Sequence, residues 1–267
     1  MSTSDDKPQI AWQPLTSRGV AAFARASLRR VLLVQLIVAL LAAGTAVWFL
    51  HGCWFPTIAE AIRGLPAQGD IQAGILNWTA PSPERLAEGR FLAITVDLTH
   101  TGEARSPAHI QVEFGQTNFT AYSLLASFQS PYPRSGALTF NRTGLWPWWG
   151  AWAPAILALA AGSVVAGLMV IWAALATLYC LPVWLIGFFG DRDCSLGRSW
   201  RLAGAALMPG ALLMCAASCM YGWGTLDLLS LAVTAGMHLL VGWAYLLVSP
   251  LRLPRRPAVV AKGNPFA

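Results

Sequence analysis

The sequence predicts a membrane α-helical protein with four transmembrane helices and a small β-rich extracytoplasmic domain inserted between helices 1 and 2. Three observations support this fold class. The 267 residues are 56% hydrophobic and only 11% charged, whereas soluble domains carry about 25% charged residues. Four runs without Asp, Glu, Lys or Arg are each long enough for a helix to cross the hydrocarbon core, which takes about 20 apolar residues. The basic residues are concentrated in segments that would face one side of a membrane.

The four apolar runs set the boundaries of the predicted segments. Only helices and closed barrels can cross lipid, because unpaired backbone groups there cost several kcal/mol each. The predicted segments are a cytoplasmic N-terminal segment with a candidate amphipathic helix (1–30), transmembrane helix 1 (31–52), the extracytoplasmic β-rich domain (53–150), transmembrane helix 2 (151–181), a cytoplasmic loop (182–201), transmembrane helix 3 (202–222), transmembrane helix 4 (227–249) and a cytoplasmic tail (250–267).

The positions of lysine and arginine predict the orientation. The two terminal segments and the loop between helices 2 and 3 together carry 12 basic residues and four aspartates, while the region between helices 1 and 2 carries six arginines and seven acidic residues. Cytoplasmic segments carry an excess of Lys and Arg, so both termini are predicted to be cytoplasmic. The chain has 16 arginines but only two lysines, a bias typical of GC-rich bacterial genomes. The predicted location is therefore a bacterial inner (plasma) membrane, with several crossings.

Tryptophans support the same orientation, because indole rings prefer the headgroup level of a bilayer. Most of them map to the predicted outer interface and three map to the inner one. The alternative for the group at 146–149 is packing in the core of the outer domain. The outer set is Trp48, Trp54, Trp146, Trp148, Trp149, Trp152 and Trp223, and the inner set is Trp12, Trp184 and Trp200.

Two segments before the outer strands have helical patterns. Residues 17–30 place Val20, Phe23 and Leu28 on one face, which is typical of a helix lying on the inner membrane surface. The alternative is a simple cytoplasmic extension of helix 1, which we expect to be an uncleaved anchor. Residues 56–65 predict a short amphipathic helix that ends before Pro66.

The outer region reads as β-rich. Residues 71–78 predict a strand broken at Gly74, and 91–98 and 110–114 predict two further strands from their β-branched and alternating apolar residues. Residues 138–141 form a weaker candidate, and 120–128 fit either a helix or a strand. Prolines interrupt the later helices: Pro182 should kink or end helix 2, and Pro209 should kink helix 3.

Four residues are candidates for ligand or partner binding. His238 lies in the middle of helix 4, where an ionisable group is a functional hypothesis by default, although a neutral imidazole can also make a structural hydrogen bond. His100 and His109 flank an outer loop near acidic residues, with solvated loop residues as the alternative. Asp97 follows a strand, where a turn-forming carboxylate is the alternative.

No catalytic residue, metal site or cofactor is predicted. Cys215 and Cys219 share a helix face but lack the third and fourth ligands that a zinc site needs, and neither a nucleophile elbow nor a phosphate-binding loop occurs. The predicted partners are the lipid bilayer and either a membrane protein or a second copy of the chain, with no nucleic acid. The leading hypothesis is a non-enzymatic protein whose outer domain binds a partner or ligand. The alternatives are an accessory subunit of a transporter, with Gln35, Ser218, Thr234 and His238 around a polar cavity, and a membrane enzyme.

Three short motifs lie at residues 62–66, 71–76 and 94–97, and the last ends in Asp97. In these motifs and in its order of segments, the chain resembles an uncharacterised family of bacterial multi-pass membrane proteins, some members of which are labelled maltodextrin utilisation proteins. In that family the strand ends in Asp-Thr, whereas here Leu98 separates Asp97 from Thr99. The resemblance implies the architecture and carries no activity or site residue.

Overall fold

The computed structural model describes residues 12–256, and this part of the chain confirms the predicted order of helices and strands. It contains four helical stretches long and apolar enough to cross a membrane, Leu28–Gly64, Arg142–Phe189, Leu196–Gly222 and Leu228–Arg252. A small β-sheet region at residues 70–139 lies in the chain between the first and the second of these stretches.

The helices and strands have the following bounds. The helices are α1 (Ser17–Phe23), α2 (Leu28–Phe49), a π-helical turn (Leu50–Trp54), α3 (Phe55–Gly64), α4 (Arg142–Phe189), α5 (Leu196–Ala206), α6 (Met208–Gly222), α7 (Leu228–Val248) and a 3-10 turn (Pro250–Arg252). The strands are β1 (Asp70–Gln72), β2 (Ile75–Asn77), β3 (Glu84–Glu88), β4 (Leu92–Val96), β5 (Ile110–Phe114), β6 (Asn118–Ser123), β7 (Ser127–Pro131) and β8 (Ala137–Thr139).

The first apolar stretch is helical without a break from Leu28 to Gly64, over 37 residues. The sequence predicts two helices here, at 31–52 and 56–65, and the structure joins them through the π-helical turn. Pro56, which has no backbone N–H to donate, lies at the start of α3 just after the π-helical turn. The helix ends at Gly64, where Leu65 turns to an extended conformation.

Prolines have different effects in the later helices. Helix α4 runs through Pro182 to Phe189, so its 48 residues span about 72 Å at 1.5 Å per residue. Of the two outcomes predicted for Pro182, an end to the helix is therefore excluded. The third apolar stretch is interrupted at Leu207, which separates α5 from α6 just before Pro209.

The chain divides into two compact units. The first takes in the described residues up to Ala43, the segment Ser163–Ala217 and the described residues from Leu229 onward. Its core is built from small and branched side chains on α1, α2, α4 and α5, among them Val31, Ala176 and Leu202. Gln35, Ser199 and Ser249 are polar residues buried in this unit, and Gln35 donates a hydrogen bond to the Gly204 carbonyl at 3.2 Å.

Helix α1 packs against α5 and the 3-10 turn of the first unit. Its apolar residues Val20 and Phe23 are fully buried there, so this face is covered by protein. The apolar face predicted to lie on the membrane surface thus packs against protein, and α1 is separate from helix 1, because it ends at Phe23 before α2 begins at Leu28. Arg201 on α5 donates a hydrogen bond to the Ala26 carbonyl at 2.6 Å. This bond fixes the segment that connects α1 to α2.

Three segments that are far apart in sequence meet at α1. Arg192 donates to the Leu253 carbonyl at 2.8 Å, and the backbone N–H of Asp193 donates to the Pro254 carbonyl at 2.9 Å. The Asp193 carboxylate also pairs with Arg198 at 2.5 Å and with Arg25 at 3.5 Å. We call residues 17–30, 190–201 and 249–256 the basic cap. It contains ten arginines and two aspartates.

The second unit comprises Gly44–Gly162 and Ser218–Leu228 and contains both sheets. The smaller sheet has the order β2-β1-β8 and the larger one β3-β4-β5-β6-β7. All neighbouring pairs are antiparallel except β4 and β5, which are parallel. The hairpin of β1 and β2 turns at Ala73 and Gly74, which both have positive φ (52° and 81°), as a two-residue type I′ turn requires.

The sequence located most of these strands. The predicted break at Gly74 is confirmed, and the ambiguous segment 120–128 is the β6–β7 hairpin. Strand β3 was not predicted, because its sequence Glu84–Glu88 carries three charges and shows no clean apolar alternation.

Candidate functional site

A layer of polar side chains is buried on one face of the larger sheet. Thr95 on β4, Glu113 on β5 and Thr120 on β6 are register partners and are all buried. Asp97 and Gln111 lie two residues from members of this row and so share its face, and both are buried. We call these five residues the polar layer. The strand pattern predicts a polar face, and the structure covers it with the loop that connects β4 to β5.

Asp97 organises the start of this loop. Its carboxylate accepts hydrogen bonds from the Gly102 N–H and the Thr101 hydroxyl, both at 3.0 Å. Burial raises the pKa of Asp97, but the hydrogen bonds from the backbone N–H groups of Gly102, Thr101 and Thr99 and from the Thr101 hydroxyl outweigh it, so the pKa lies below its ordinary value. The structure therefore gives Asp97 the turn-forming role that was weighed as the alternative to a binding role.

His100 lies over a buried carboxylate. Its Nδ1 is 2.6 Å from Oε1 of Glu113, whose side chain is 1% exposed. The backbone of His100 is in the left-handed region (φ 54°), which is uncommon for a residue other than glycine. Gly115 makes room for the imidazole, since a Cβ there would lie 2.4 Å from Nε2. The second carboxylate oxygen of Glu113 has no hydrogen-bond partner among the described residues.

His109 belongs to an aromatic cluster in the second unit. Its Nδ1 is 2.6 Å from the hydroxyl of Tyr221, and the two rings stack with centroids 5.3 Å apart. Phe91 packs edge-on against His109 at 5.5 Å and also contacts Tyr221 at 4.9 Å. Phe49 completes the cluster, 5.5 Å from Tyr221. His109 therefore joins the β4–β5 loop to the C-terminal end of α6 and is not a solvated loop residue.

The charge of His109 should depend on pH in a way that weakens this cluster in acid. Burial lowers the pKa of His109, nearby Arg90 lowers it further, and Asp227 partly opposes both effects. A histidine whose pKa is depressed by folding stabilises the fold fully above its ordinary pKa of about 6.5. This contribution is lost progressively as the pH falls through 6.5 towards the lower folded-state pKa.

We expect the melting temperature of the purified protein to fall more steeply between pH 7.5 and 5 than that of a His109→Phe variant. Phenylalanine keeps the ring packing and cannot be protonated. The melting temperature can be followed by intrinsic fluorescence in mild detergent at a series of pH values. Parallel curves for the two proteins would contradict the assignment to His109.

His238 uses its side chain within its own helix. Its Nδ1 hydrogen-bonds the carbonyl of Ala235, one turn earlier on α7. At this level the backbones of α6 and α7 are close, because a Cβ on Gly210 would lie 2.7 Å from the His238 carbonyl oxygen. These contacts favour the structural hydrogen bond, made here to the helix's own backbone, over a role in binding.

The four predicted site residues thus fall in three places. Asp97 and His100 share the loop over the polar layer, His109 lies in the aromatic cluster, and His238 lies in the first unit. Their predicted binding roles remain predictions. Tyr221 was missed as a partner of His109 because 112 residues separate the two in sequence. Among the described residues, no group of three or more His, Cys, Asp and Glu side chains is arranged to hold a metal ion.

A cavity of about 670 Å³ opens beside the turn of the β1–β2 hairpin. This volume falls within the range of about 300–1,000 Å³ typical of small-molecule sites. Its walls come from both sheets, with the edge strand β7 on one side. The lining residues are Ala73, Gly74, Ile75, Thr117, Asn118, Gln129, Pro131, Tyr132 and Arg134.

Several polar groups of this cavity have no partner among the described residues. The side chains of Gln129 and Arg134 make no hydrogen bond or ion pair with the described residues. The Oδ1 atom of Asn118 is buried without a partner. Tyr132 is different, because its hydroxyl donates to the Gly115 carbonyl at 3.0 Å and anchors the cavity wall. The sequence contains no motif that marks this cavity.

No protein-family model, no curated protein and no solved structure matches the chain. Fold and site together define a helical protein with four stretches apolar enough to cross a membrane and a two-sheet β region that carries an open cavity. The family resemblance of the short motifs remains a prediction.

Proposed function

We propose that the chain is a non-enzymatic bacterial inner-membrane protein whose extracytoplasmic β-rich region binds a small polar ligand. The four apolar helical stretches support the membrane part of the proposal. The basic cap supports the orientation, since it brings the described parts of both terminal segments together with the loop between α4 and α5. Its ten arginines favour the cytoplasmic side, which supports a cytoplasmic location for both termini.

The open cavity carries the binding part of the proposal. Buried polar groups elsewhere in the second unit are largely used by one another, as Gln111 shows by bonding Thr95 and the Ala104 carbonyl. The side chains of Gln129 and Arg134 remain unpartnered at the cavity. Unpaired polar groups that converge on a concave site are what a ligand needs for orientation.

The lining predicts the class of ligand. Amide and hydroxyl groups come from Asn118, Gln129 and Thr117, and Arg134 supplies one positive charge, while Ile75 and Pro131 give an apolar wall. This set suits a ligand that is rich in hydrogen-bonding groups and carries at most one negative charge.

The two other hypotheses have less support. An accessory transporter subunit requires a polar cavity around Gln35, Thr234 and His238, and each of these side chains bonds to a backbone carbonyl instead. A membrane enzyme requires acidic, histidine or cysteine side chains free for chemistry. Asp97, His100 and Glu113 are the nearest approach to such a group, and they bond to one another or to their loop.

Native mass spectrometry of the full chain, extracted from bacterial membranes in mild detergent, tests the binding proposal. We expect wild-type protein to carry a non-covalent small-molecule adduct. A Gln129→Ala/Arg134→Ala variant should carry about tenfold less of this adduct, which corresponds to a loss of about 1.4 kcal/mol in binding free energy. A Ser127→Ala/Arg85→Ala variant is the matched control, because it removes one polar residue of β7 and one arginine away from the cavity. Absence of an adduct from wild-type protein, or equal loss in both variants, would contradict the proposal.

A further inference from the structure

A second concave site lies where α3 ends and α4 begins. Its volume is about 430 Å³, and it is lined by Arg63, Arg142, Thr143, Trp146 and Pro147. We call it the arginine groove. The Arg142 N–H donates to the Pro66 carbonyl at 3.1 Å, and this bond fixes the start of α4 against the segment that follows α3.

The two arginines of the groove have no acidic partner among the described residues. Arg63 lies over the ring of Trp146, with its guanidinium carbon 4.7 Å from the ring centroid. Neither Arg63 nor Arg142 forms an ion pair, although Glu60 is only one turn before Arg63 on α3. Two exposed arginines therefore line one groove, and neither is paired with an acidic side chain among the described residues.

This combination suits a phosphate group. The guanidinium fork matches the oxygen atoms of phosphate and binds them in bidentate fashion. Trp146 holds Arg63 in place by a cation–π contact, so less side-chain entropy is lost when an anion binds. Trp146 and Pro147 form an apolar wall beside the charged groups, which suits a ligand with both a phosphate and an apolar part.

The position of the groove along α4 also favours the membrane surface. The long apolar stretch of this helix runs from residue 153 to residue 180, and its start lies about 10 Å along the helix axis from Trp146. Trp148 and Trp152 stack on each other just before this point, with centroids 6.3 Å apart. Exposed indoles at the end of an apolar run are typical of the headgroup level.

We propose that the arginine groove binds a phosphate-bearing ligand at the interface between membrane and water on the extracytoplasmic side. Two sources share this chemistry, the phosphodiester of an anionic lipid and a soluble phosphate compound. The lipid source rests on the membrane placement proposed above, and neither source rests on the ligand cavity beside β7. If an experiment contradicts one of the two binding proposals, the other can therefore still be tested.

The full chain is purified in mild detergent and exposed to phosphatidylglycerol, phosphatidylcholine or inorganic phosphate, and bound molecules are counted by native mass spectrometry. We expect an Arg63→Gln/Arg142→Gln variant to retain about tenfold less phosphatidylglycerol than wild type at the site from which this lipid dissociates most slowly. A tenfold loss corresponds to roughly 1.4 kcal/mol of binding free energy. Phosphatidylcholine, whose headgroup has no net charge, should bind weakly to both. Displacement by millimolar inorganic phosphate without any lipid preference would identify a soluble phosphate as the source.

The basic cap also attracts anionic lipid, so the control must match the change in charge. An Arg85→Gln/Arg105→Gln variant removes the same charge from the β region and should keep the wild-type retention. An Arg63→Lys/Arg142→Lys variant keeps the charge and loses the bidentate geometry, and we expect an intermediate result. Equal retention of phosphatidylglycerol by the glutamine variant and the charge-matched control, with equal melting temperatures, would overturn the proposal.

Discussion

Replacing His100 by alanine is expected to lower the free energy of unfolding of the protein by about 2–3 kcal/mol. The substitution leaves the carboxylate of Glu113, 1% exposed, without its partner at 2.6 Å. Leaving a buried hydrogen-bonding group without its partner costs about 1–3 kcal/mol, and more when the group is charged; the exposure of His100, 33% in its side chain, keeps the expected loss within that range. The change can be measured by denaturant unfolding in mild detergent, monitored through circular dichroism of the β region.

A double variant separates the pair from general damage to the loop. Since the cost comes from a buried carboxyl group left without its partner, His100→Ala/Glu113→Gln should be more stable than His100→Ala alone. His51→Ala provides the matched control, because His51 is an exposed histidine with no hydrogen bond among the described residues. If Glu113→Gln lowers the free energy of unfolding of the His100→Ala protein as much as it lowers that of wild type, His100 and Glu113 do not act as a pair.

Replacing Phe23 by alanine is expected to cost about 3–5 kcal/mol of stability in the first unit. The side chain is fully buried where α1 packs against α5, and truncating a buried phenylalanine removes both its transfer free energy and its contacts. Thermal unfolding in mild detergent measures the loss. Limited proteolysis should then cut first within residues 17–30, because α1 is released from α5 and from the 3-10 turn.

Phe189→Ala is the matched control for this prediction. Phe189 is 82% exposed at the end of α4, so the same truncation should change stability by less than about 0.5 kcal/mol in detergent. If Phe23→Ala changes stability as little as Phe189→Ala does, α1 contributes little to the packing of the first unit.

Much of the architecture could be predicted from local patterns. The lengths of the apolar runs predict the four helical stretches, and alternation at Ile110, Val112 and Phe114 predicts β5. Gly74 predicts the break between β1 and β2, because a residue that tolerates positive φ fits there. Helix ends were less accurate: α4 begins at Arg142, nine residues before the predicted start, since its first turns carry polar and aromatic residues that the apolar run does not include.

The candidate sites could be predicted only in part. Asp97 and His100 were singled out for their residue types, and Glu103 and Glu113 were noted as nearby acids, but only the parallel pairing of β4 and β5 decides that Glu113 is the partner of His100. The unpartnered side chains of Gln129 and Arg134 have no distinctive sequence pattern. Arg63 and Arg142 are 79 positions apart in the sequence, so nothing in either segment predicts that they line one groove.

The sequence by itself determined how many helices are apolar enough to cross a membrane and where the charges lie along the chain, because both depend on composition within a single segment. The tertiary structure decided which side chains meet. Alternation shows that Gln111 and Glu113 share a face of β5, but whether water or a loop covers that face depends on contacts between distant segments. The same holds for Phe23 beneath α5, for His109 against Tyr221 and for the two arginines of the groove, since each contact joins parts of the chain whose local sequences carry no information about each other.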